Sequence, residues 1–193
     1  LNECIDSSYV SGSGGKFIDL FENKIKKLTK SKNAISVINA TSGLHLALRV
    51  LGVKENDEVL VPALTFVGTC NPIVYLKATP HFIDSSLENY GVDSDKLDKY
   101  LKKKTIIKSG YCINKNTKRR IKAIIIVHLF GHSADLDPLI KVAKKYKLKV
   151  VEDAAESIGS YYKGRHTGTI GHVGVISFNG NKSLTTGGGG VVI

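Results

Sequence analysis

Ile121-Lys-Ala-Ile-Ile-Ile-Val-His128 is the stretch that decides the fold. It is nearly all apolar. A continuous run of this kind suits a strand buried on both faces of a parallel sheet. The chain alternates outward from it. Toward the carboxyl end, residues 135–147 predict a helix, with Asp135 or Asp137 near its start; residues 148–152 and 173–178 predict strands. Toward the amino end, Phe17, Leu20, Phe21, Ile25 and Leu28 fall on one face of an amphipathic helix over 16–30. A short strand over 34–39 follows, then a helix over 43–51 ended by Gly52. Residues 58–62 form a strand closed by proline. Residues 67–77 form a helix with Pro72 near its first turns, and 79–84 another strand. Residues 93–103 read as a short charged helix. Residues 104–120 show no clean period and are expected to be an exposed insertion. Strands alternating with helices predict an α/β fold with a mainly parallel sheet, one domain or part of one.

Composition narrows the classes. The 193 residues are 42% hydrophobic, enough to bury a core. No apolar run reaches membrane-spanning length, and no secretory signal opens the sequence. Cys4, Cys70 and Cys112 form neither a disulfide framework nor a zinc pattern, so a reducing cytoplasm is expected. The net charge of +11 raises the question of a nucleic-acid partner. The lysines are spread over helix faces and concentrated in 99–122. Aromatics are only 7% of the chain, and no stacking stripe interleaves with the charge. A solvated lysine-rich surface is the simpler reading, and a nucleic-acid binder using 99–122 is the least favoured function.

The chemistry-bearing residues fall at the carboxyl ends of candidate strands, where ligands gather in α/β sheets. Thr41-Ser42-Gly43 opens a helix after the first strand. Hydroxyls and free N–H groups there suit a phosphate, although a plain helix cap is the bland reading. Phe66 follows the strand 58–62. Its ring can stack on a flat ligand, or it can be an ordinary core residue. Glu152-Asp153 follows the strand run 148–151. A carboxylate there can hold a protonated ring nitrogen or cap the following turn, and Glu156 lies one turn on. Lys182 follows the strand 173–178. It is a surface lysine unless desolvation or a neighbouring cation lowers its pKa enough to attack a carbonyl. Taken singly these signals are weak. Together, a phosphate cradle, a ring stacker, a pyridinium partner and a Schiff-base lysine are the parts that hold pyridoxal 5′-phosphate (PLP).

Other motifs fail. Gly180-Asn-Lys182-Ser183 lacks the glycine spacing of a phosphate-binding P-loop, and Gly187 to Gly190 run into a strand rather than a helix. Those glycines let the backbone pass close to something or turn tightly. His128 and His132 do not share a helical face, so no metal role is expected. His45, His81, His166 and His172 show no partner in the sequence.

Five segments resemble the PLP-dependent sugar aminotransferases of the DegT/DnrJ/EryC1/StrS group. They are Asn39-Ala-Thr41-Ser42-Gly-Leu-His-Leu-Ala-Leu48, Val61-Pro-Ala-Leu-Thr-Phe66-Val-Gly-Thr-Cys-Asn71, His128-Leu-Phe-Gly131 with Ala134-Asp-Leu-Asp137, Val151-Glu-Asp153-Ala-Ala-Glu156-Ser-Ile-Gly-Ser160, and Ser177-Phe-Asn-Gly-Asn-Lys182. Their order makes the resemblance far more specific than any one of them. It implies the large domain of the aspartate-aminotransferase fold (fold type I). Thr41, Ser42 and Ser177 would bind the phosphate, and Phe66 would stack on the ring. Asp153 would pair with the pyridinium nitrogen and Glu156 would contact the ring hydroxyl. Lys182 would hold the cofactor covalently and later move the proton. Many members carry Gln or His where this chain has Glu156, and His where it has Asn179. The variant around Lys182 resembles a branch that aminates C4 of nucleotide-linked 4-keto-6-deoxy sugars. L-glutamate is the implied donor, 2-oxoglutarate the product, and surface-polysaccharide or glycan synthesis the context. Related dehydratases replace the lysine by histidine, so Lys182 speaks for transamination.

Members of that group are roughly twice this length, with a smaller C-terminal domain. Residues 1–193 are therefore expected to be a partial PLP-binding large domain, truncated at both ends, with the small domain absent. Val10-Ser-Gly-Ser-Gly-Gly15 resembles the substrate-side loop near the start. The resemblance also implies a homodimer with a shared active site; from composition and charge pattern, no nucleic-acid or membrane partner is expected. A non-catalytic PLP-fold domain or interaction module is the alternative.

Overall fold

The structure, a computed structural model, describes residues 2–7 and 15–193, so the loop motif over 10–15 lies outside the described residues except for Gly15. The elements are α1 (Asn2–Asp6), α2 (Lys16–Thr29), β1 (Ile35–Val37), α3 (Ala40–Val50), β2 (Glu58–Pro62), α4 (Val67–Tyr75), β3 (Thr79–Ile83), α5 (Ser94–Lys104), β4 (Thr105–Lys108), β5 (Tyr111–Asn114), β6 (Arg120–Val127), α6 (Leu136–Lys145), β7 (Lys149–Asp153), β8 (Tyr161–Tyr162), β9 (Arg165–His166), β10 (Val173–Ser177) and β11 (Gly190–Val192).

The main sheet runs β1-β11-β10-β7-β6-β2-β3. The five strands from β10 to β3 are parallel. Strand β11 is antiparallel to both β10 and β1 and lies between them. The apolar run at 121–128 is the central strand β6, and Ile124, Ile125 and Ile126 are fully excluded from water. Each such side chain contributes roughly 1.5–3 kcal/mol by leaving water. Successive residues face opposite layers. Ile124 and Ile126 pack with Leu97 and Leu101 of α5 and Leu136 and Leu139 of α6. Ala123, Ile125 and Val127 pack with Leu44 and Leu48 of α3 and Ile73 of α4. Helix α2 adds Ile25 to a third cluster with Ile176, Phe178 and Val191.

Residues 104–120 are a correction to the sequence reading. They are not an irregular insertion but an antiparallel hairpin, β4 and β5, turned by Ser109 and Gly110 with φ of 50° and 79°. Positive φ at both central positions matches the twist of a two-residue hairpin. Strand β5 then pairs Cys112 with Ile121 and Ile113 with Arg120 at the start of β6. The period was illegible because the inward positions include polar Thr105 and Asn114, whereas Ile106 and Ile107 are about half exposed. Buried Glu58 fastens the hairpin: its carboxylate accepts from Asn114 Nδ2 at 2.9 Å and from the Thr117 hydroxyl, and meets His81 Nδ1 at 2.7 Å.

Helix α3 starts at Ala40 rather than Gly43, because Asn39 caps it, its Oδ1 accepting the Ser42 N–H at 2.8 Å. Thr41 and Ser42 therefore sit in the first turn. Gly190 is where β11 meets this turn. A Cβ there would lie 2.8 Å from both the Ala40 nitrogen and the Asn39 carbonyl carbon. The close backbone passage expected of the glycine run is thus real. Among the described residues, no helix is long and apolar enough to cross a membrane.

Candidate functional site

Asp153 is the last residue of β7 and is buried. Strand alternation separates it from Glu152, since neighbours point to opposite faces. Glu152 turns away toward His128, whose Nε2 lies 2.9 Å off, and accepts the backbone N–H groups of Gly168 and Ile170 at 2.8 and 2.6 Å. Burial works to raise its pKa, but these bonds hold it lowered. Its acceptor capacity is consumed in pinning the 168–171 segment. Asp153 faces the α3–α4 layer instead. One oxygen accepts the Thr69 hydroxyl at 2.7 Å and the other the Ala155 N–H at 3.1 Å. Burial pushes its pKa up, against these bonds and the nearby Lys182 charge. Between Glu152 and Asp153, geometry selects Asp153 as the acid at the shared edge.

Lys182 lies in the segment that leaves β10 and returns as β11. Its N–H bonds to the Asn179 carbonyl at 3.0 Å, closing a turn that holds the residue back toward the sheet. The side chain is 14% exposed, and Nζ is 3.1 Å from Glu156 Oε1. The other Glu156 oxygen accepts the Phe130 N–H at 2.9 Å. Phe130, in the 3-10 turn Leu129–Gly131 that follows β6, adopts a left-handed φ of 53° and is itself exposed. Such a conformation is rare outside glycine and collects at functional sites. Glu156, expected at a ring hydroxyl, here bridges Lys182 to the turn Leu129–Gly131 after β6.

Phe66 is not a core residue: it is 73% exposed, immediately before α4. Gly68 brings it together with Thr41. A Cβ on Gly68 would sit 2.9 Å from the Phe66 ring and 3.0 Å from the Thr41 hydroxyl oxygen. The missing side chain keeps a gap open between ring and hydroxyl. Ser177 is buried at the end of β10, paired with Gly190, which rests against the first turn of α3. Contacts thus join Phe66 to Thr41 across Gly68, Lys182 to Glu156, and Asp153 to Thr69 of α4, while Ser177 lies beside Gly190. Sequence reasoning missed Gly68, Thr69 and Phe130. The spacing of Thr65 and Thr69, one helical turn apart, was the available signal, and their hydroxyls are 2.8 Å apart. The histidines also found partners. His81 joins Glu58, His166 accepts the Gly159 N–H at 2.9 Å and His172 the Val150 N–H at 3.1 Å.

The residues fit a phosphorylated pyridine. Among the described residues, the buried Asp153 carboxylate is met only by neutral donors, so a protonated ring nitrogen would supply its missing cation. The gap at Gly68 leaves room beside Phe66. The first turn of α3 offers N–H groups and two hydroxyls to an anion. The Lys182 charge works against the burial that raises the Asp153 pKa.

A mixed sheet of this order, clothed by helices on both faces, with these groups at one edge, is the large-domain fold of the PLP-dependent transferases of fold type I. The chain belongs to the DegT/DnrJ/EryC1/StrS aminotransferase family, whose model matches residues 1–193. It is 42% identical over 193 residues to the GDP-perosamine synthase of Escherichia coli O157:H7, covering 100% of this chain and 48% of that protein. A DegT/DnrJ/EryC1/StrS aminotransferase from Brucella abortus superposes with a TM-score of 0.88 at 28% identity, covering 100% of this chain and 49% of that one. A protein of Streptococcus pneumoniae described as a sugar aminotransferase, solved in its PLP form, gives 0.82 at 29% identity, covering 99% and 49%. The chain spans about half the length of the curated relatives it matches.

Proposed function

We propose that residues 1–193 are the cofactor-binding part of a PLP-dependent aminotransferase. In this reading L-glutamate donates the amino group to the C4 ketone of a nucleotide-linked 4-keto-6-deoxy sugar. The observation that carries it is a shielded lysine amine and a buried carboxylate, bonded only by neutral donors among the described residues, at the same end of the sheet. The GDP-perosamine synthases among the relatives support the sugar half of the reaction.

When bound, the cofactor supplies an electron sink for the pair left by a breaking C–H bond. Thr41, Ser42 and Ser177 hold its phosphate, helped by the N–H groups at the start of α3. Phe66 packs on the ring and shields it from water. Asp153 keeps the ring nitrogen protonated by charge pairing. Glu156 orients the ring hydroxyl, and its Oε1 is placed to take a proton from Lys182 Nζ. Lys182 would hold the cofactor, and its Nζ, when neutral and free, would take a proton from the donor carbon and give one to the acceptor carbon.

We place the enzyme in the cytoplasm as a homodimer with a shared site, in surface-polysaccharide or glycan synthesis. The apolar side chains that α3 and α4 leave exposed, Val50, Val67, Val74 and Tyr75, support a covering partner. The test is borohydride reduction of PLP-loaded protein followed by peptide mass analysis. The label is expected on Lys182, and Lys182→Ala should lose both label and transfer from L-glutamate to the keto sugar. Full turnover by Lys182→Ala would overturn the assignment.

A further inference from the structure

The acid at the site is held by more than its own strand. Thr69, in the first turn of α4, is buried and donates its only hydroxyl proton to Asp153 Oδ2 at 2.7 Å. An ionised carboxylate can only accept, so the direction of that bond is fixed. The Thr69 oxygen must then accept from Thr65, whose hydroxyl is 2.8 Å away in the loop before α4. Phe66 lies between these two threonines in sequence, and Gly68 opens the gap beside it. One short segment therefore carries the ring-facing aromatic, the opening and the donor to the acid.

We infer that Thr69, with Thr65 behind it, is a positioning residue that aims the Asp153 carboxylate and keeps it ionised to meet a protonated ring nitrogen. This rests on the function proposed above. The physical need is clear from the burial of Asp153. An acid with no cation in contact drifts toward its neutral form, and a neutral acid would not hold a pyridinium. Two donors oppose that drift, Thr69 on one oxygen and the Ala155 N–H on the other. The Ala155 donor is local backbone and survives any side-chain change. Thr69 is the donor that the sequence can vary. The titratable and charged groups facing Asp153 are Lys182 from the β10–β11 segment, His128 at the end of β6 and Cys70 of α4. Among the described residues, none of their side chains hydrogen-bonds the Asp153 carboxylate, whose donors are Thr69 and Ala155.

The experiment measures the dissociation constant of PLP itself by absorbance, between about pH 5 and about pH 8. The whole protein is compared with Thr69→Val, Thr69→Ser and Thr65→Val. Valine matches threonine in shape and removes only the hydroxyl. Loss of the donor should move the acid limb of binding upward by about one pH unit or more in Thr69→Val. Thr69→Ser should restore the limb to its original place. Thr65→Val should move it in the same direction by less. A purely structural role would change affinity at every pH without moving the limb. An unmoved limb in Thr69→Val, with the unmodified protein binding normally, overturns the inference alone. Failure of the unmodified protein to bind PLP at any pH overturns the proposed function and this inference with it. Should Thr69→Val not fold, an upward shift in Thr65→Val still supports the relay, and an unmoved limb there overturns it.

Discussion

Asp153 costs the empty protein stability, because burial raises its pKa and its bonds with Thr69 and Ala155 offset this only in part. For an acid with a raised pKa, the favourable form is the protonated one. Its stability is fully present below the ordinary carboxylate pKa and is lost as pH rises through the folded value. At neutral pH the residue is therefore a liability retained for its charge. Asp153→Asn should raise the unfolding free energy of cofactor-free protein by ~1 kcal/mol at neutral pH, and the gain should vanish in acid. The new amide can donate to Thr69, whose hydroxyl turns back toward Thr65, so no buried group is orphaned. Cofactor affinity should fall at least about tenfold in the same variant. Chemical denaturation and PLP titration check the two halves. Asp153 and Lys182 could be singled out as candidates from the sequence because one ends a strand and the other follows one. Thr69 could not, because its meaning comes from contact with a residue 84 positions away.

At the scale of elements, close approach sets what the turns tolerate. Gly68→Ala and Gly190→Ala add the same methyl group with different consequences. The Gly68 methyl would meet the Phe66 ring and the Thr41 hydroxyl, both at the ends of side chains that can shift. Alanine also favours the helix by up to ~1 kcal/mol, so folding should be little changed or improved. The gap it fills is the proposed ring site, and PLP affinity should drop about tenfold or more. The Gly190 methyl would meet the backbone of Asn39 and Ala40, which cannot yield without moving α3. That variant should lose ~2–3 kcal/mol of stability by denaturant titration. The helices and parallel strands were readable from periodicity because their inward positions are apolar. The β4–β5 hairpin was not, because Thr105 and Asn114 face inward and their burial is satisfied by hydrogen bonds rather than by hydrophobicity. Likewise the start of α3 hid behind Asn39, whose capping role depends on its side-chain direction.

For the whole molecule, Glu58 ties the hairpin to the amino-terminal ends of the parallel strands. Burial works to raise its pKa, but hydrogen bonds from His81, Asn114 and Thr117 and the His81 charge lower it from 4.5 to about 2. A depressed acid contributes stability that is present above its unfolded pKa and lost as pH falls through the folded one. Stability should therefore decline between pH 4.5 and about 2. Glu58→Gln should be less stable by ~2 kcal/mol at neutral pH and should flatten that decline. Hydrogen exchange in the variant should rise first over β4 and β5, the elements Glu58 holds from outside the main layers.

The route by which β11 enters the sheet sets an order of events during synthesis. Ile35 of β1 is paired with Val192 of β11, and among the described residues β1 has no other strand beside it. Its edge stays open while the parallel strands are made and packed. Contacts this distant along the chain close late. The start of α3, with Thr41 and Ser42, can be locked against Gly190 only after the segment carrying Lys182 has emerged. The proposed anchor lysine and the proposed phosphate corner are thus brought together in one late step.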